Sequence, residues 1–267
     1  MQGEPDDPSV ILDPDTRAFY LQALDTLDRS GVRYVVGGAY ALAAHAGIVR
    51  HTKDLDVFLR RDDFPRAMRA FEIANFPTEH THPHWLGKAY NRTGDAFVDL
   101  IYGSGNGLCR VDDDWLDHAV DGQVLGDRNA KLSPCEEIIW SKSFIQERDR
   151  FDGADVAHLV LKCGRQIDWA RLLHRFARHE RVLLAHVVLF GYIYPTEKAI
   201  IPAWVMDELI GRMRSEPAAN ERVCRGTSLS WEQYLLDVRE WGFHDGRVQP
   251  LGPLNVEEVE RWTKAPK

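Results

Sequence analysis

Two aspartates in the first third of the chain have the spacing of a metal-binding pair. Asp54 and Asp56 are separated by one residue within a run that alternates polar and apolar side chains. Because side chains alternate faces along a β-strand, both carboxylates point the same way, about 6.6 Å apart along the strand. Neighbouring carboxylates raise each other's pKa, and Mg²⁺, which prefers hard oxygen ligands, relieves that repulsion. The pair therefore predicts a metal site; two solvated carboxylates at a strand end are the alternative.

A third carboxylate lies inside an apolar segment farther along the chain. Asp99 is the charged residue of the segment 97–101, whose other members are apolar. A buried aspartate is costly unless it is paired or bound to a metal. If its strand lies beside the strand of Asp54 and Asp56, the three carboxylates form one cluster. Such a cluster can hold two Mg²⁺ ions and serves phosphoryl or nucleotidyl transfer.

A double glycine precedes the aspartate pair. Gly37 and Gly38 follow the β-prone run 34–36 and open an Ala-rich stretch that suits a helix. Glycine allows a sharp turn and a close approach of the backbone to a ligand, and the free N–H groups of a helix N-terminus attract phosphate oxygens. The turn indicates a phosphate-binding loop; a purely steric need for glycine is the alternative.

Periodicity predicts the elements that must position these groups. In the first half we expect a helix over 15–30 ending at Gly31, a strand over 34–36, a helix over 39–46, a strand over 54–59, a helix capped by Asp62 or Asp63, strands over 85–90 and 97–102 joined by the turn 91–95, a loop over 103–107, and short elements at best over 108–132. In the second half we expect a helix after the capping box Ser133-Pro134-Cys135-Glu136, a helix starting at Asp152, a helical apolar stripe of Trp169, Leu172, Leu173 and Phe176, and helices over 182–194, 203–213 and 256–262. The first half is thus mixed α and β, and the residues from 133 to about 215 are almost all α.

Taken together, these motifs resemble a known superfamily. The segments VVGGAYALAAHAGIVRHTKDLDV and FVDLIYG are similar to the DNA polymerase β-type nucleotidyltransferases, and most similar to their bacterial minimal-nucleotidyltransferase and abortive-infection toxin-like branch. The resemblance implies an α+β fold, with a small mixed β-sheet and helices on one side, followed by an α-helical domain. It divides the chain into a catalytic domain, 1–132, and a mainly helical domain, 133–267. It also implies an NTP as donor, Mg²⁺ or Mn²⁺ as cofactor and a hydroxyl group as acceptor.

The resemblance also implies roles for single residues. It assigns the triphosphate to Gly37 and Gly38, and metal binding and catalysis to Asp54, Asp56 and Asp99. Many members carry serine after the first glycine, where its hydroxyl contacts phosphate. Here Gly38 and then Ala39 follow, so only backbone contacts are available at that place.

A second pattern of the same branch follows in the helical half. KSFIQERDRFDGADVAHL resembles K-x(5)-R-x(3)-D-x(2)-D, which begins at Lys142. The resemblance implies that Lys142 reaches the triphosphate as a point charge and that Arg148 supports the site. The alternatives are a solvated helix face for Lys142, an ion pair for Arg148, and a helix cap for Asp152 and Asp155.

Two further groups of residues could each bind a ligand or could simply be polar residues of the surface. His80, His82 and His84 would share one face of an extended segment and could bind Zn²⁺, but Pro77 and Pro83 favour a loop of surface polar residues. The basic stripe on the helix after 168 could meet RNA phosphates, although such a stripe is usually the solvated side of an amphipathic helix. Its members are Arg171, Arg175 and Arg178.

Composition narrows the partners without naming the acceptor. The 267 residues carry a formal charge of −8, which argues against broad nucleic-acid binding. The first residues lack the pattern of a secretory signal, no apolar run is long enough for a membrane span, and four scattered cysteines predict free thiols in a reducing cytoplasm. RNA, a protein side chain or a small molecule such as an antibiotic remain as candidate acceptors, and an antitoxin-type protein is the candidate partner. A non-catalytic nucleotide-binding module is the alternative to an enzyme.

Overall fold

The computed structural model describes residues 12–50, 52–217 and 220–264. The described chain forms two compact units, one made of residues up to 105 together with 109–134, the other of 106–108 and the residues from 135 onward. Within these ranges, no helix combines the length and the apolar character that crossing a bilayer requires. The predicted free thiols are confirmed, because Cys109, Cys135, Cys163 and Cys224 are all buried and none of them forms a disulfide bond.

The first unit is built on a seven-stranded mixed sheet. Its elements are α1 (Pro14–Ser30), β1 (Tyr34–Val36), α2 (Gly38–Ala46), β2 (Asp54–Leu59), α3 (Phe64–Ile73), β3 (Thr78–His82), β4 (Leu86–Tyr90), β5 (Phe97–Ile101), α4 (Asp113–Asp117), β6 (Val120–Val124) and β7 (Arg128–Leu132). The strand order is β3-β4-β5-β2-β1-β7-β6. The pairs β2–β5 and β1–β7 are parallel, and the other neighbours are antiparallel. The predicted mixed sheet is confirmed.

Strand β2 shows how the sheet separates its two faces. Leu55, Val57 and Leu59 have 0% exposed surface and belong to a core that also contains apolar residues of α1 and α3. Asp54 and Asp56 alternate with them and are only partly buried. The burial of the three apolar side chains therefore forces both carboxylates onto the opposite face of the sheet.

Helix ends agree with the sequence in one case and differ in another. Helix α1 begins after Asp13, whose carboxylate accepts hydrogen bonds from the backbone N–H groups of Asp15 and Thr16, and it ends at Gly31 with φ +68°. Helix α3 begins after Asp63, which occupies the predicted N-cap position, but its carboxylate makes no cap hydrogen bond to the helix. The Asp63 carboxylate instead accepts a hydrogen bond from Arg66 at 3.0 Å.

The segment 108–132 contains a hairpin that periodicity does not reveal. Strands β6 and β7 pair along their full length, and β7 continues the sheet through the parallel pairing of Leu132 with Val36. The backbone N–H of Ser133 donates to the carbonyl of Val36 at 2.8 Å and extends this contact. Of the ten residues in these two strands, only Val124 and Leu132 are buried and five are exposed, so the alternation of polar and apolar residues that marks a half-buried strand is missing.

The histidine segment is a strand rather than the predicted loop over residues 78–82. His80 shares a hydrogen bond with the hydroxyl of Tyr102 at 2.9 Å, and His84 contacts the carbonyl of Gly105 at 3.2 Å. His82 stacks on Trp85 with ring centroids 5.5 Å apart. Among the described residues, the three histidines form no metal-binding group, so the Zn²⁺ interpretation is wrong.

The second unit is mainly helical, as predicted. Its elements are α5 (Cys135–Ser143), α6 (Gly153–Cys163), α7 (Trp169–Phe176), α8 (Glu180–Ile193), α9 (Ala203–Ser215), β8 (Val223–Cys224), α10 (Trp231–Arg239), β9 (His244–Asp245) and α11 (Val256–Lys264). The apolar stripe of α7 is buried throughout. The predicted capping box at the start of α5 does not form, because the Glu136 carboxylate accepts a hydrogen bond from the backbone N–H of Asp168 at 2.9 Å.

The basic stripe on α7 serves the interior of this unit. The side chains of Arg171 and Arg175 are 10% and 6% exposed, and both bind the carboxylate of Glu137, which has 0% exposed surface. Arg171 also pairs with Glu136 at 3.0 Å. Burial raises the pKa of Glu137, and the two guanidinium groups act in the opposite direction. Arg178 is exposed. For Arg171 and Arg175, both the solvated and the RNA-binding interpretations are therefore wrong.

We expect Glu137→Gln to lower the free energy of unfolding by about 3–5 kcal/mol, since it removes the charge of the buried carboxylate that both guanidinium groups bind. Urea denaturation measures the change. Arg178→Gln, at an exposed position on the same stripe, should change it by less than about 0.5 kcal/mol. Equal effects of the two substitutions would show that the buried pairs do not stabilise the unit.

Candidate metal and nucleotide site

The parallel pairing of β2 with β5 brings the three predicted aspartates together. Asp56 lies directly opposite Asp99 in the register, and Asp54 lies opposite Phe97. Residues that face each other in a parallel pair project to the same side of the sheet. Each of Asp54, Asp56 and Asp99 offers a carboxylate oxygen, and these oxygens lie within 4.8 Å of one another.

Asp99 is the most buried of the three carboxylates. The residue is 9% exposed, and its neighbours Val98 and Leu100 on β5 are fully buried on the core face. Burial raises its pKa, the ammonium of Lys88 acts against that rise, and the carboxylate of Asp54 adds to it. The cluster therefore contains a carboxylate that is held largely out of water.

Lys88 is a member of the site that sequence reasoning missed. It lies on β4 directly opposite Asp99, and its Nζ is 2.6 Å from Oδ1 of Asp99. The same ammonium lies 3.8 Å from the centroid of the Phe97 ring. The sequence indicates the position of Lys88 only when the two predicted strands and the turn 91–95 are considered together. The turn sets the register of the hairpin, and that register places Lys88 beside Asp99.

Thr52 is a second missed member. Its hydroxyl donates a hydrogen bond to Oδ1 of Asp54 from just before strand β2 begins. A hydroxyl two residues away can orient a carboxylate locally without a change of fold. The contact fixes Asp54 at the strand end where it faces the other carboxylates.

The double glycine touches the same cluster. The N–H of Gly37 donates to the carbonyl of Asp56 at 2.9 Å, which ties the turn to the aspartate strand. Gly38 begins α2 with φ +53°, and a Cβ atom at this residue would lie 1.7 Å from Oδ2 of Asp56. Only glycine permits this close approach, so the N-terminus of α2 lies directly against the carboxylate cluster.

The donor set fits a divalent cation. Carboxylate oxygens are the hard ligands that Mg²⁺ and Mn²⁺ accept, and the ammonium of Lys88 offsets one of three negative charges. The combined field of the cluster reaches the core, where burial and then the three carboxylates raise the pKa of the buried Tyr20 phenol. A cation held by Asp54, Asp56 and Asp99 would reduce this mutual repulsion.

The second predicted pattern forms its own cluster in the helical unit. Nζ of Lys142 lies 2.8 Å from carboxylate oxygens of both Asp152 and Asp155, and its side chain is 17% exposed. The solvated-face alternative for Lys142 is therefore wrong. Asp152 occupies the predicted N-cap position of α6, but its carboxylate pairs with Lys142 and makes no cap hydrogen bond to the helix. Arg150, rather than the exposed Arg148, pairs with Asp152 at 3.1 Å.

Comparison with known proteins finds only distant likeness. No protein-family model and no curated protein matches the sequence. Among solved structures, the antibiotic-resistance factor ANT(2'')-Ia is 15% identical with a TM-score of 0.42, over 68% of this chain and 99% of that one. An antigenic nucleotidyltransferase-like protein from Paracoccidioides brasiliensis is 16% identical with a TM-score of 0.42, over 71% and 93%. Lincomycin-bound LnuA, a lincosamide antibiotic adenylyltransferase, is 15% identical with a TM-score of 0.38, over 54% and 94%. These values assign no activity, so the proposed function rests on the geometry of the site.

We expect Gly38→Ala to abolish cation binding at the cluster, because the added methyl group must displace the Asp56 carboxylate. Isothermal titration with Mn²⁺ measures the loss, and circular dichroism checks the fold. Gly47→Ala is the matched control: Gly47 ends the same helix with φ +68°, and nothing lies within 4 Å of its added Cβ. The control should cost about 1–2 kcal/mol of stability and leave Mn²⁺ binding intact. Unchanged Mn²⁺ binding by Gly38→Ala would contradict the proposed contact.

Proposed function

We propose that this chain is a divalent-metal-dependent nucleotidyltransferase whose activity resides in residues 1–132. The observation that carries the proposal is the juxtaposition of three carboxylates with a double-glycine turn at a helix N-terminus. Phosphates bind at such N-termini, and clustered carboxylates bind the cations that accompany them. One place in the fold thus offers ligands for both the metal and the triphosphate of an NTP.

Asp54, Asp56 and Asp99 are the residues that would hold Mg²⁺ or Mn²⁺ in this proposal. When bound, the metal would supply positive charge to the triphosphate and to the departing pyrophosphate. Thr52 keeps the carboxylate of Asp54 in place through its hydrogen bond. The three carboxylates are held by strand pairing rather than by loops, so their positions are set before the ligands arrive.

The remaining residues bind the donor and move the proton. Backbone N–H groups at Gly38 and in the following turn of α2 donate hydrogen bonds to the phosphate oxygens, because the first N–H groups of a helix have no partner within the helix. The acceptor hydroxyl forms a bond to the α-phosphorus as the bond to the pyrophosphate oxygen breaks. Its proton passes to Asp99, the buried carboxylate of the same cluster, which acts as general base.

The acceptor stays open among an RNA end, a protein hydroxyl and a small molecule such as an antibiotic. The formal charge of −8 disfavours binding to a large, phosphate-rich acceptor such as RNA. The burial of Arg171 and Arg175 also removes the exposed basic stripe that favoured RNA. An antitoxin-type partner, a cytoplasmic location and a triphosphate contact for Lys142 stay predictions. For Lys142, any such contact would compete with its two ion pairs.

We expect Asp54→Asn to reduce nucleotidyl transfer by more than about 100-fold, since the loss of a metal ligand removes several kcal/mol of transition-state stabilisation. The assay incubates the protein with each α-labelled NTP and separate RNA, protein and small-molecule fractions of a cell extract. It records the labelled fraction and the pyrophosphate released. Asp62→Asn is the control, because this side chain is 81% exposed and pairs with Arg60 away from the cluster.

The same assay separates an enzyme from a binding module. Full transfer by Asp54→Asn would contradict the metal-dependent mechanism. NTP binding in the presence of Mg²⁺ with no pyrophosphate release from any fraction would instead favour a non-catalytic nucleotide-binding module. The fraction that becomes labelled identifies the class of acceptor.

A further inference from the structure

A row of charged side chains crosses four strands through the candidate site. Glu79 on β3 lies opposite Lys88 on β4, Lys88 lies opposite Asp99 on β5, and Asp99 lies opposite Asp56 on β2. Directly opposed residues project to the same face of a sheet. The cluster therefore contains a cationic side chain that is built into the sheet beside the carboxylates.

The ammonium of Lys88 is held in place from two sides. Its Nζ donates to Oδ1 of Asp99 at 2.6 Å and lies 3.8 Å from the centroid of the Phe97 ring. The side chains of Lys88 and Asp99 are 19% and 12% exposed. A charge-assisted hydrogen bond and an aromatic face in a partly desolvated setting restrain a lysine that would otherwise be mobile.

A fixed positive charge at this place has a consequence for cation binding. A divalent ion that uses the Asp99 carboxylate must lie near the ammonium of Lys88, and like charges repel strongly at short range where water is partly excluded. The ammonium also occupies Oδ1 of Asp99, one of the oxygens available to a metal. Both effects weaken the binding of a free cation.

We propose that Lys88 is a positioning residue that acts as an internal counter-ion of the carboxylate cluster and weakens its affinity for free divalent cations. The cluster then binds its metal tightly only when a triphosphate brings additional negative charge and oxygen ligands. This inference rests on the proposed function, because it assumes that Asp54, Asp56 and Asp99 are metal ligands. It adds a residue that neither the glycine turn nor the aspartate motif includes.

The test measures the Kd of Mn²⁺ for the nucleotide-free, full-length protein by isothermal titration. We expect Lys88→Met to bind Mn²⁺ at least about tenfold more tightly than the wild-type protein, because the repulsion and the competition for Oδ1 are removed. Lys88→Arg keeps the charge and should retain the wild-type Kd. A side chain with a purely structural role would give no tightening, and the restoration by arginine shows that charge is responsible.

Two further variants make each outcome decisive. Lys88→Gln keeps a donor for Asp99 without the charge, and it replaces Lys88→Met if that variant does not fold; it should also tighten Mn²⁺ binding. An unchanged or weaker affinity in both neutral variants would overturn the role of Lys88. Asp54→Asn tests the site itself: if it leaves wild-type Mn²⁺ binding intact, the metal site of the proposed function fails, whatever the Lys88 variants show.

Discussion

The parallel pairing of β2 with β5 is the contact on which the candidate site depends. It places Asp56 opposite Asp99 and brings like charges together that would separate in an unfolded chain. The repulsion is tolerated because the opposite faces of both strands bury leucine and valine side chains in one core. A shift of one residue in either strand would move its aspartates into that core, where unpaired charge is costly.

The neighbouring elements are arranged around this constraint. The turn at Gly38 approaches the Asp56 carboxylate so closely that any Cβ atom would collide with it, and α2 therefore begins at the cluster. On the other side, β4 adds Lys88, which relieves part of the charge. The backbone N–H groups that attract anions thus lie at the start of α2, and the carboxylates and the ammonium lie on the adjoining strands β2, β5 and β4. This combination is more specific than a group of acidic residues alone.

The second unit shows how the same residue types can have a different purpose. Arg171 and Arg175 have the spacing of a basic surface, yet both bind the fully buried Glu137. Lys142 likewise lies between the carboxylates of Asp152 and Asp155. Helical periodicity places such residues on one face but does not say whether that face meets water or another helix. The partner that decides this is distant in the chain.

Sequence alone was sufficient for features that depend on local spacing. The helix that ends at Gly31, the strand of Asp54 and Asp56 and the candidacy of Asp99 all follow from periodicity and residue type, which act over a few residues. Only the tertiary structure decided the register that aligns Asp56 with Asp99 and the hairpin of β6 and β7. Which strands pair depends on the burial of side chains that are distant in the chain and on contacts at the sheet edge. Neither can be recognised from the local alternation of polar and apolar residues.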